Sequence, residues 1–112
     1  MKIKEKDNFS LIKVDAGHTI PDLVLKLENL LKNQYSSSNI AVDLLKYNNL
    51  TEPDILAFTH LSGAHKKNKK SFVLINDSID IDLIPEELTV VPTLIEAGDI
   101  IEMEEIERDL GF

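Results

Sequence analysis

The chain contains no cysteine and no tryptophan, and only 4 of its 112 residues are glycine. Without cysteine, disulfide frameworks, thiolate nucleophiles and zinc–cysteine sites are excluded. The absence of cysteine also fits a reducing compartment such as the cytoplasm. The few glycines are scattered along the chain, so it has no glycine-rich loop of the kind that cradles phosphate groups.

Long apolar runs are missing as well. No apolar segment approaches the roughly 20 residues that a helix needs to cross a bilayer. The first residues, Met1–Lys6, carry charge without an apolar stretch after them, so they do not resemble a signal peptide. We therefore expect a cytoplasmic protein that makes no membrane contact.

Basic residues are in the minority: 12 lysines and arginines oppose 20 acidic residues, for a net charge of −8. A field of this sign repels phosphate backbones, so we expect no direct nucleic-acid binding. Apolar residues make up 43% of the chain. That share is enough for one hydrophobic core, and the length suits a single domain over residues 1–112.

The remaining signals alternate between strand and helix. Strand patterns at 2–6 and 9–14 flank the turn pair Asp7–Asn8, which predicts an N-terminal hairpin. Further strands are predicted at Ile40–Leu44, Ser71–Ile75 and Leu88–Val91. Strands that alternate with helices pair in parallel through right-handed crossovers. The sequence therefore predicts an α/β fold with a mixed sheet of four or five strands, an N-terminal hairpin and three main helices.

Each predicted helix has an apolar stripe at helical spacing. The first begins at Thr19 or Ile20, the second runs from about Thr51 to Lys67, and the acidic C-terminal helix covers about 93–110. The stripes expected to face the core are Leu23, Leu27, Leu30 and Leu31; Ala57, Phe58, Leu61 and Ala64; and Leu94, Ala97, Ile101 and Ile106, with Leu110 and Phe112 near the end.

No residue pattern indicates catalysis. His60 and His65 are five positions apart, about 140° around a helix, whereas a two-histidine metal site prefers a spacing of four with an acid nearby. Together with His18 they are expected to be surface or helix-end histidines. The serines at 36–38 lack the Gly-x-Ser-x-Gly setting of serine hydrolases. We expect no catalytic residue, no metal and no cofactor, and so a protein that is not an enzyme.

Two charged segments have both a functional and a structural interpretation. The basic run Lys66–Lys70 could contact an acidic partner or a phosphate, but cations at a helix C-terminus are the favoured explanation. The C-terminal helix begins with a capping box, Thr93–Glu96, and carries many acids beside the single Arg108. It is either a core helix with a solvated face or a docking surface for a basic partner.

The turn from Leu45 to Asp54 is the strongest site candidate. It follows a buried strand, and sites in parallel α/β sheets lie at the carboxyl ends of strands. Thr51 and Asp54 form a capping box there, and a well-capped helix is the alternative interpretation of this segment. The predicted partner-binding residues are Leu45, Lys46, Asn48, Asn49, Thr51, Glu52 and Asp54.

From about Phe9 to Ile101 the chain resembles a STAS domain, the fold of bacterial anti-sigma factor antagonists. The similarity lies in the order of four segments, Ile40–Leu44, Leu61–Lys67, Phe72–Ile75 and Val90–Ala97. The resemblance implies a protein-interaction module that a partner kinase regulates by phosphorylating a serine. That kinase doubles as an anti-sigma factor, and phosphorylation adds charge that ejects it.

The chain departs from this family at the phospho-acceptor position. Glu52 occupies it, Thr51 is the adjacent hydroxyl, and no serine occurs between Asn39 and Leu61. One hypothesis is that Glu52 supplies a permanent negative charge, and an unchanged partner affinity in Glu52→Ser would contradict it. A second departure is the short irregular stretch Asn76–Leu88, where the family carries a longer helix. The ending, residues 100–112, resembles short STAS-like proteins often labelled ribonuclease Z, although the histidine-rich metal motif of that nuclease is absent.

Three functions therefore stay open. The leading expectation is a non-catalytic interaction module that docks an anti-sigma factor or serine kinase through the 45–54 turn. The alternative is an accessory subunit of an RNA-processing enzyme such as ribonuclease Z, docking through the acidic C-terminal helix without being the nuclease itself. Small-molecule binding ranks last, because some STAS domains hold nucleotides or fatty acyl groups but nothing in this sequence selects a ligand.

Overall fold

The computed structural model of the protein describes residues 1–111 and consists of one mixed sheet with helices on both faces. The strands are β1 (Lys2–Glu5), β2 (Ser10–Lys13), β3 (Ile40–Asp43), β4 (Phe72–Ile75) and β5 (Thr89–Val91). The helices are α1 (Ile20–Asn33), α2 (Glu52–Leu56), α3 (Thr59–Lys67) and α4 (Leu94–Asp109). Among these residues, every helix is too short or too polar to cross a lipid bilayer.

The five strands lie in sequence order across the sheet. β1 pairs antiparallel with β2, and the Lys6 N–H donates to the Phe9 carbonyl at 2.8 Å to close the hairpin. The other neighbours, from β2 to β5, are parallel. This arrangement confirms the predicted α/β fold with an N-terminal hairpin and a mixed sheet, and it sets the strand number at five.

Helix α1 forms where its sequence predicts it. The Thr19 hydroxyl accepts a hydrogen bond from the Asp22 N–H at 3.3 Å, which satisfies one of the free donors at the helix start. Leu23, Leu27 and Leu31 are buried, so the predicted stripe faces the core. Leu30, on the flank of that stripe, is half-buried.

The second predicted helix is two helices. The chain leaves α2 after Leu56 and enters α3 at Thr59, where the Thr59 hydroxyl donates to the Leu56 carbonyl at 2.8 Å instead of remaining in solvent. Because α3 is a separate helix from α2, its inner face is formed by Leu61, Ser62 and His65. The expectation that Ala64 would be buried is therefore wrong, and Ala64 is exposed.

The sheet separates two apolar cores. One lies under α1 and α3 and includes Ile12, Val42, Leu74 and Phe58. The other lies under α4, where Ala97 and Ile101 pack on the side chains of Leu11, Ala41, Val73, Ile75 and Val91. Since strand side chains alternate between faces, β3 and β4 are buried on both sides, as their continuous apolar sequences predict.

Helix α4 begins at the predicted cap, where the Glu96 N–H donates to the Thr93 hydroxyl at 3.1 Å. Its inner stripe ends earlier than expected. Ile106 is 52% exposed and Leu110 is 66% exposed, so their predicted packing is wrong. Ile106 lies about 140° around the helix from Ile101, which points it away from the sheet. Phe112 lies outside the described residues.

Between β4 and β5 the chain is irregular, as predicted. A single 3₁₀ turn covers Ile81–Leu83, and the Leu88 N–H donates to the Pro85 carbonyl at 3.1 Å, which closes a turn at residues 85–88. Leu88 itself is buried and anchors this connection to the core under α1 and α3.

Candidate functional site

Three connections meet at the carboxyl edge of the parallel strands. They follow β2, β3 and β4, and they place residues 14–19, 44–51 and 76–80 side by side. This edge is where side chains converge in open parallel sheets. Two buried polar residues, Asn76 and Tyr47, hold the three connections together.

Asn76 is 4% exposed and uses its whole amide. Its Nδ2 donates to the Leu44 carbonyl at 2.7 Å and to the Tyr47 carbonyl at 2.9 Å. Its Oδ1 accepts from the N–H groups of Ser78 at 2.9 Å and Ile79 at 3.1 Å. One side chain thus ties the turn after β3 to the connection after β4.

Tyr47 links the same turn to the connection after β2. Its hydroxyl lies 2.8 Å from the His18 carbonyl and 3.1 Å from the Asp15 carbonyl, where it is the donor. Burial raises the pKa of this phenol above its ordinary value, and the nearby Asp15 charge adds to the increase against a smaller opposing effect of the His18 hydrogen bond. Tyr47 is therefore a protonated structural donor at neutral pH.

Most of the predicted partner-binding residues share one open concavity of about 500 Å³. Lys46, Asn48, Asn49 and Asp54 line it together with Tyr47 and Leu50. The opposite wall comes from the connection after β2 and the start of α1, with His18 and Thr19. Lys46, Asn48 and Asn49 are exposed, so they present polar groups on a backbone that Tyr47 and Asn76 hold in place.

The other predicted residues lie elsewhere. Leu45 turns to the α4 face, where it packs against the core, and its N–H donates to Asp43 Oδ1 at 2.9 Å. Thr51 and Glu52 are exposed at the start of α2, outside this concavity. The Thr51 N–H donates to the Asp54 carboxylate at 3.0 Å, as the capping box predicts. The structure therefore brings together only part of the predicted set.

Sequence reasoning missed the roles of Tyr47, Asn76 and the wall formed by His18. Sites at the carboxyl ends of strands are expected for every parallel strand, not for β3 alone. The same rule for β4 indicates Asn76, the first residue after a wholly buried strand. No local signal marks Tyr47, because its partners Asp15 and His18 are distant in sequence.

The histidines divide into two environments. His60 is exposed and His18 is half-buried, with its Nδ1 3.2 Å from Lys26 Nζ. His65 lies in the last turn of α3, as the helix-end alternative predicts, but it is only 2% exposed and is therefore not a surface residue. Its Nε2 lies 2.5 Å from the Ser38 carbonyl. Burial lowers the pKa of His65, and the Lys70 charge adds to this while the hydrogen bond opposes it.

Among residues 1–111, no group of three or more histidine, aspartate or glutamate side chains is arranged to hold a metal ion. The basic run behaves as a helix end: α3 stops at Lys67, and Lys66 Nζ donates to the Glu87 carbonyl at 2.8 Å. Its cations therefore lie at the negative end of the α3 dipole.

The end of α4 is tied to the sheet by a polar cluster. Arg108 Nη2 donates to Asn39 Oδ1 at 3.3 Å and to Ser71 Oγ at 3.2 Å. Ser71 Oγ also donates to Glu104 at 2.5 Å, and Asn39 Nδ2 donates to Glu105. These three charged residues of α4 stabilise the fold, so they are not free parts of an acidic docking surface.

Comparison with models of known protein families gives no match for this chain. Comparison with curated proteins likewise finds no match at the required significance.

Proposed function

We propose that this protein is a non-catalytic interaction module, similar in role to an anti-sigma factor antagonist, that binds a partner protein through the turn Leu45–Asp54. The observation that supports the proposal most is the rigid presentation of Asn48 and Asn49. Both side chains are exposed, while the turn that carries them is fixed from below by Tyr47 and Asn76.

A fixed turn is suited to recognition. Loops held by a rigid scaffold carry binding residues in many folds, because the scaffold supplies the order that a partner would otherwise have to impose. Asn48 and Asn49 each offer a donor and an acceptor, and Lys46 and Asp54 beside them add one charge of each sign. The patch fits a polar protein surface better than an apolar small molecule.

The regulatory part of the proposal differs from the family pattern. Glu52 is exposed at the first residue of α2, where the family has its phospho-acceptor serine. A carboxylate there supplies negative charge without phosphorylation and favours the positive end of the short helix. The module is then constitutive: no kinase would switch it through this position.

The test compares two baits in the cells that naturally make the protein. The first carries Asn48→Ala and Asn49→Ala. The matched control carries Asn29→Ala and Gln34→Ala, which also remove two exposed amides but lie on and after α1. We expect a protein that co-purifies with the wild type and the control to be reduced at least about tenfold with the turn variant, which corresponds to a loss of about 1.4 kcal/mol.

Equal recovery of every co-purifying protein by the two baits would contradict the proposal. Circular dichroism of both variants serves as the folding control, since all four side chains are exposed. A turnover activity in the pure wild-type protein would contradict its non-catalytic part.

A further inference from the structure

The face of the sheet under α4 is covered by its own chain only in part. α4 packs over β4 and β5, and its core extends to Leu11 of β2 and Ala41 of β3, but the β1 edge is left uncovered; among residues 1–111 it is the only helix on that side. Lys4 pairs with Leu11, and Lys2 with Lys13, so these three lysines are on the same face as the Leu11 side chain that packs under α4. All three are exposed.

The uncovered part of this face is cationic. Lys2, Lys4, Lys13 and Lys46 surround a concavity of about 300 Å³ that we call the lysine basin. Asp15 and Asp43 also line it, but Lys46 Nζ is 3.6 Å from Asp15 and Asp43 accepts from the Leu45 N–H. The basin thus has an excess of positive charge in a chain whose net charge is −8.

The pairing of Lys2 directly opposite Lys13 is unfavourable in the isolated chain. Like charges facing each other across neighbouring strands destabilise a sheet. A negatively charged surface over the basin would offset this repulsion by attracting both ammonium groups. Lysine stems also cover apolar side chains well while their ammonium groups reach carboxylates.

Helix α4 carries such a surface on its outer side. Its apolar stripe, formed by Ile95, Met103, Ile106 and Leu110, is between 52% and 78% exposed. At about 100° per residue the four lie within about 80° of arc, opposite the buried Ala97 and Ile101. Asp99 lies within the stripe and Glu102 beside it, and both are exposed.

We propose that two copies of the protein associate face to face, with the outer side of α4 from each copy seated on the lysine basin of the other. A two-fold rotation axis parallel to the strands relates the two copies in this arrangement. The basin lies at the carboxyl edge of the sheet, and α4 begins at that same edge after β5. The first turns of α4, with Ile95, Asp99 and Glu102, therefore meet the basin of the second copy.

Charge identifies a second copy as the occupant. If the outer sides of α4 from two copies met each other, their carboxylates would be brought together. If the outer side of α4 from each copy meets the lysine basin of the other, acids pair with lysines at both contacts. Such a two-fold interface is self-complementary, as closed dimers require. The basin shares Lys46 with the neighbouring concavity but does not include Asn48 or Asn49, so this association goes beyond the partner binding proposed above.

The first measurement is the mass of the wild-type protein by light scattering, from about 1 µM to about 1 mM, which covers weak to moderate interfaces. We expect a rise from 12.6 kDa toward twice that mass. Raising the ionic strength from about 0.05 M to about 0.5 M should shift the midpoint to higher protein concentration, because salt screens the acid–lysine pairs.

The decisive experiment is a charge exchange. The basin variant carries Lys2→Glu and Lys4→Glu, and the helix variant carries Asp99→Lys and Glu102→Lys. Each alone places like charges together at both contacts and should stay monomeric. An equimolar mixture pairs opposite charges at both contacts, so it should form a heterodimer, and the chain with all four substitutions should form a homodimer.

Circular dichroism of each variant serves as the folding control, because all four side chains are exposed. A wild type that is monomeric at every concentration would overturn the proposal and assign the α4 face to a different protein. A dimer formed by the basin variant alone or by the helix variant alone, or a mixture of the two that stays monomeric, would overturn it equally.

Discussion

Among single residues, Asn76 joins the turn after β3 to the connection after β4 through its side chain. Its amide donates to two carbonyls of the turn after β3 and accepts from two N–H groups of its own connection. A buried polar group that loses its partners costs much more than a typical hydrogen bond contributes, so removing this side chain leaves several groups without partners at once.

We expect Asn76→Ala to lower the free energy of unfolding by about 2–4 kcal/mol, because the Leu44 and Tyr47 carbonyls lose their donor inside the protein. Urea denaturation followed by circular dichroism measures this. Asp77→Ala, at the exposed neighbouring position, should stay within about 0.5 kcal/mol of the wild type. Similar values for the two variants would show that Asn76 does not anchor the turn.

His65 makes the stability dependent on pH. Burial lowers its folded-state pKa below the unfolded value of about 6.5, so the fold favours the neutral ring. The stabilising contribution of the neutral ring is then complete above about pH 6.5 and is lost as the pH falls below it toward the folded-state pKa. Below that range, folding must accommodate a charged ring near Lys70.

We therefore expect the wild type to lose more stability than His65→Gln between about pH 7.5 and about pH 5.5. Glutamine retains a donor for the Ser38 carbonyl but does not titrate. Urea unfolding at several pH values compares the two proteins, so that contributions common to both cancel in the difference. Parallel pH profiles would contradict the buried position of His65.

At the scale of elements, α4 is fastened at both ends by different means. Thr93 caps its start through a local hydrogen bond to the Glu96 N–H. Its last turns are held by contacts that are distant in sequence, from Arg108 to Asn39 and Ser71. Deleting residues 102–112 would remove this cluster together with the outer face of α4, so point substitutions separate the two roles better than a truncation does.

We expect Arg108→Ala to cost about 1–2 kcal/mol of stability and to speed amide hydrogen exchange in the last two turns of α4, because the side chain donates to two partly buried acceptors. Asp109→Ala, at the adjacent exposed position, is the control. Unchanged exchange in Arg108→Ala would show that the apolar contacts of Ala97 and Ile101 alone hold the helix.

The elements that local patterns predict correctly are those with a strong period and a cap. The buried strands β3 and β4 and the caps at Thr19 and Thr93 are examples, since each depends on residues within a few positions. The break after Leu56 escaped prediction because Ala57 and Phe58 are acceptable helix residues, and the burial of Phe58 in the core decides the path of the chain. Tertiary packing overrides propensity there.

The candidate site was harder to predict than the fold. Position after β3 identifies Asn48 and Asn49, but their common concavity depends on Tyr47 and Asn76, whose bond is between residues 29 positions apart. The burial of His65 likewise depends on the Ser38 carbonyl, 27 positions away. Ile106 shows the reverse case: its apolar character predicts an inward position, but its angle of about 140° from Ile101 turns it toward solvent.

At the scale of the whole molecule, two surfaces are proposed to have separate tasks. The concavity with Asn48 and Asn49 would bind a different protein, and α4 with the lysine basin would bind a second copy; Lys46 lies on the border between the two surfaces. A dimer-breaking pair of substitutions at Asp99 and Glu102 should leave binding at the carboxyl edge intact, and alanine at Asn48 and Asn49 should leave the dimer intact.

The central claim, partner binding at the carboxyl edge, is tested most directly by site-specific photocross-linking in the cells that make the protein. A benzophenone amino acid placed at Asn49 should form an adduct of one discrete mass with another protein, and the same group at Asn29 on α1 should not. If adducts of the same protein form equally from both positions, or from Asn29 alone, the partner does not dock at this turn and the account is wrong.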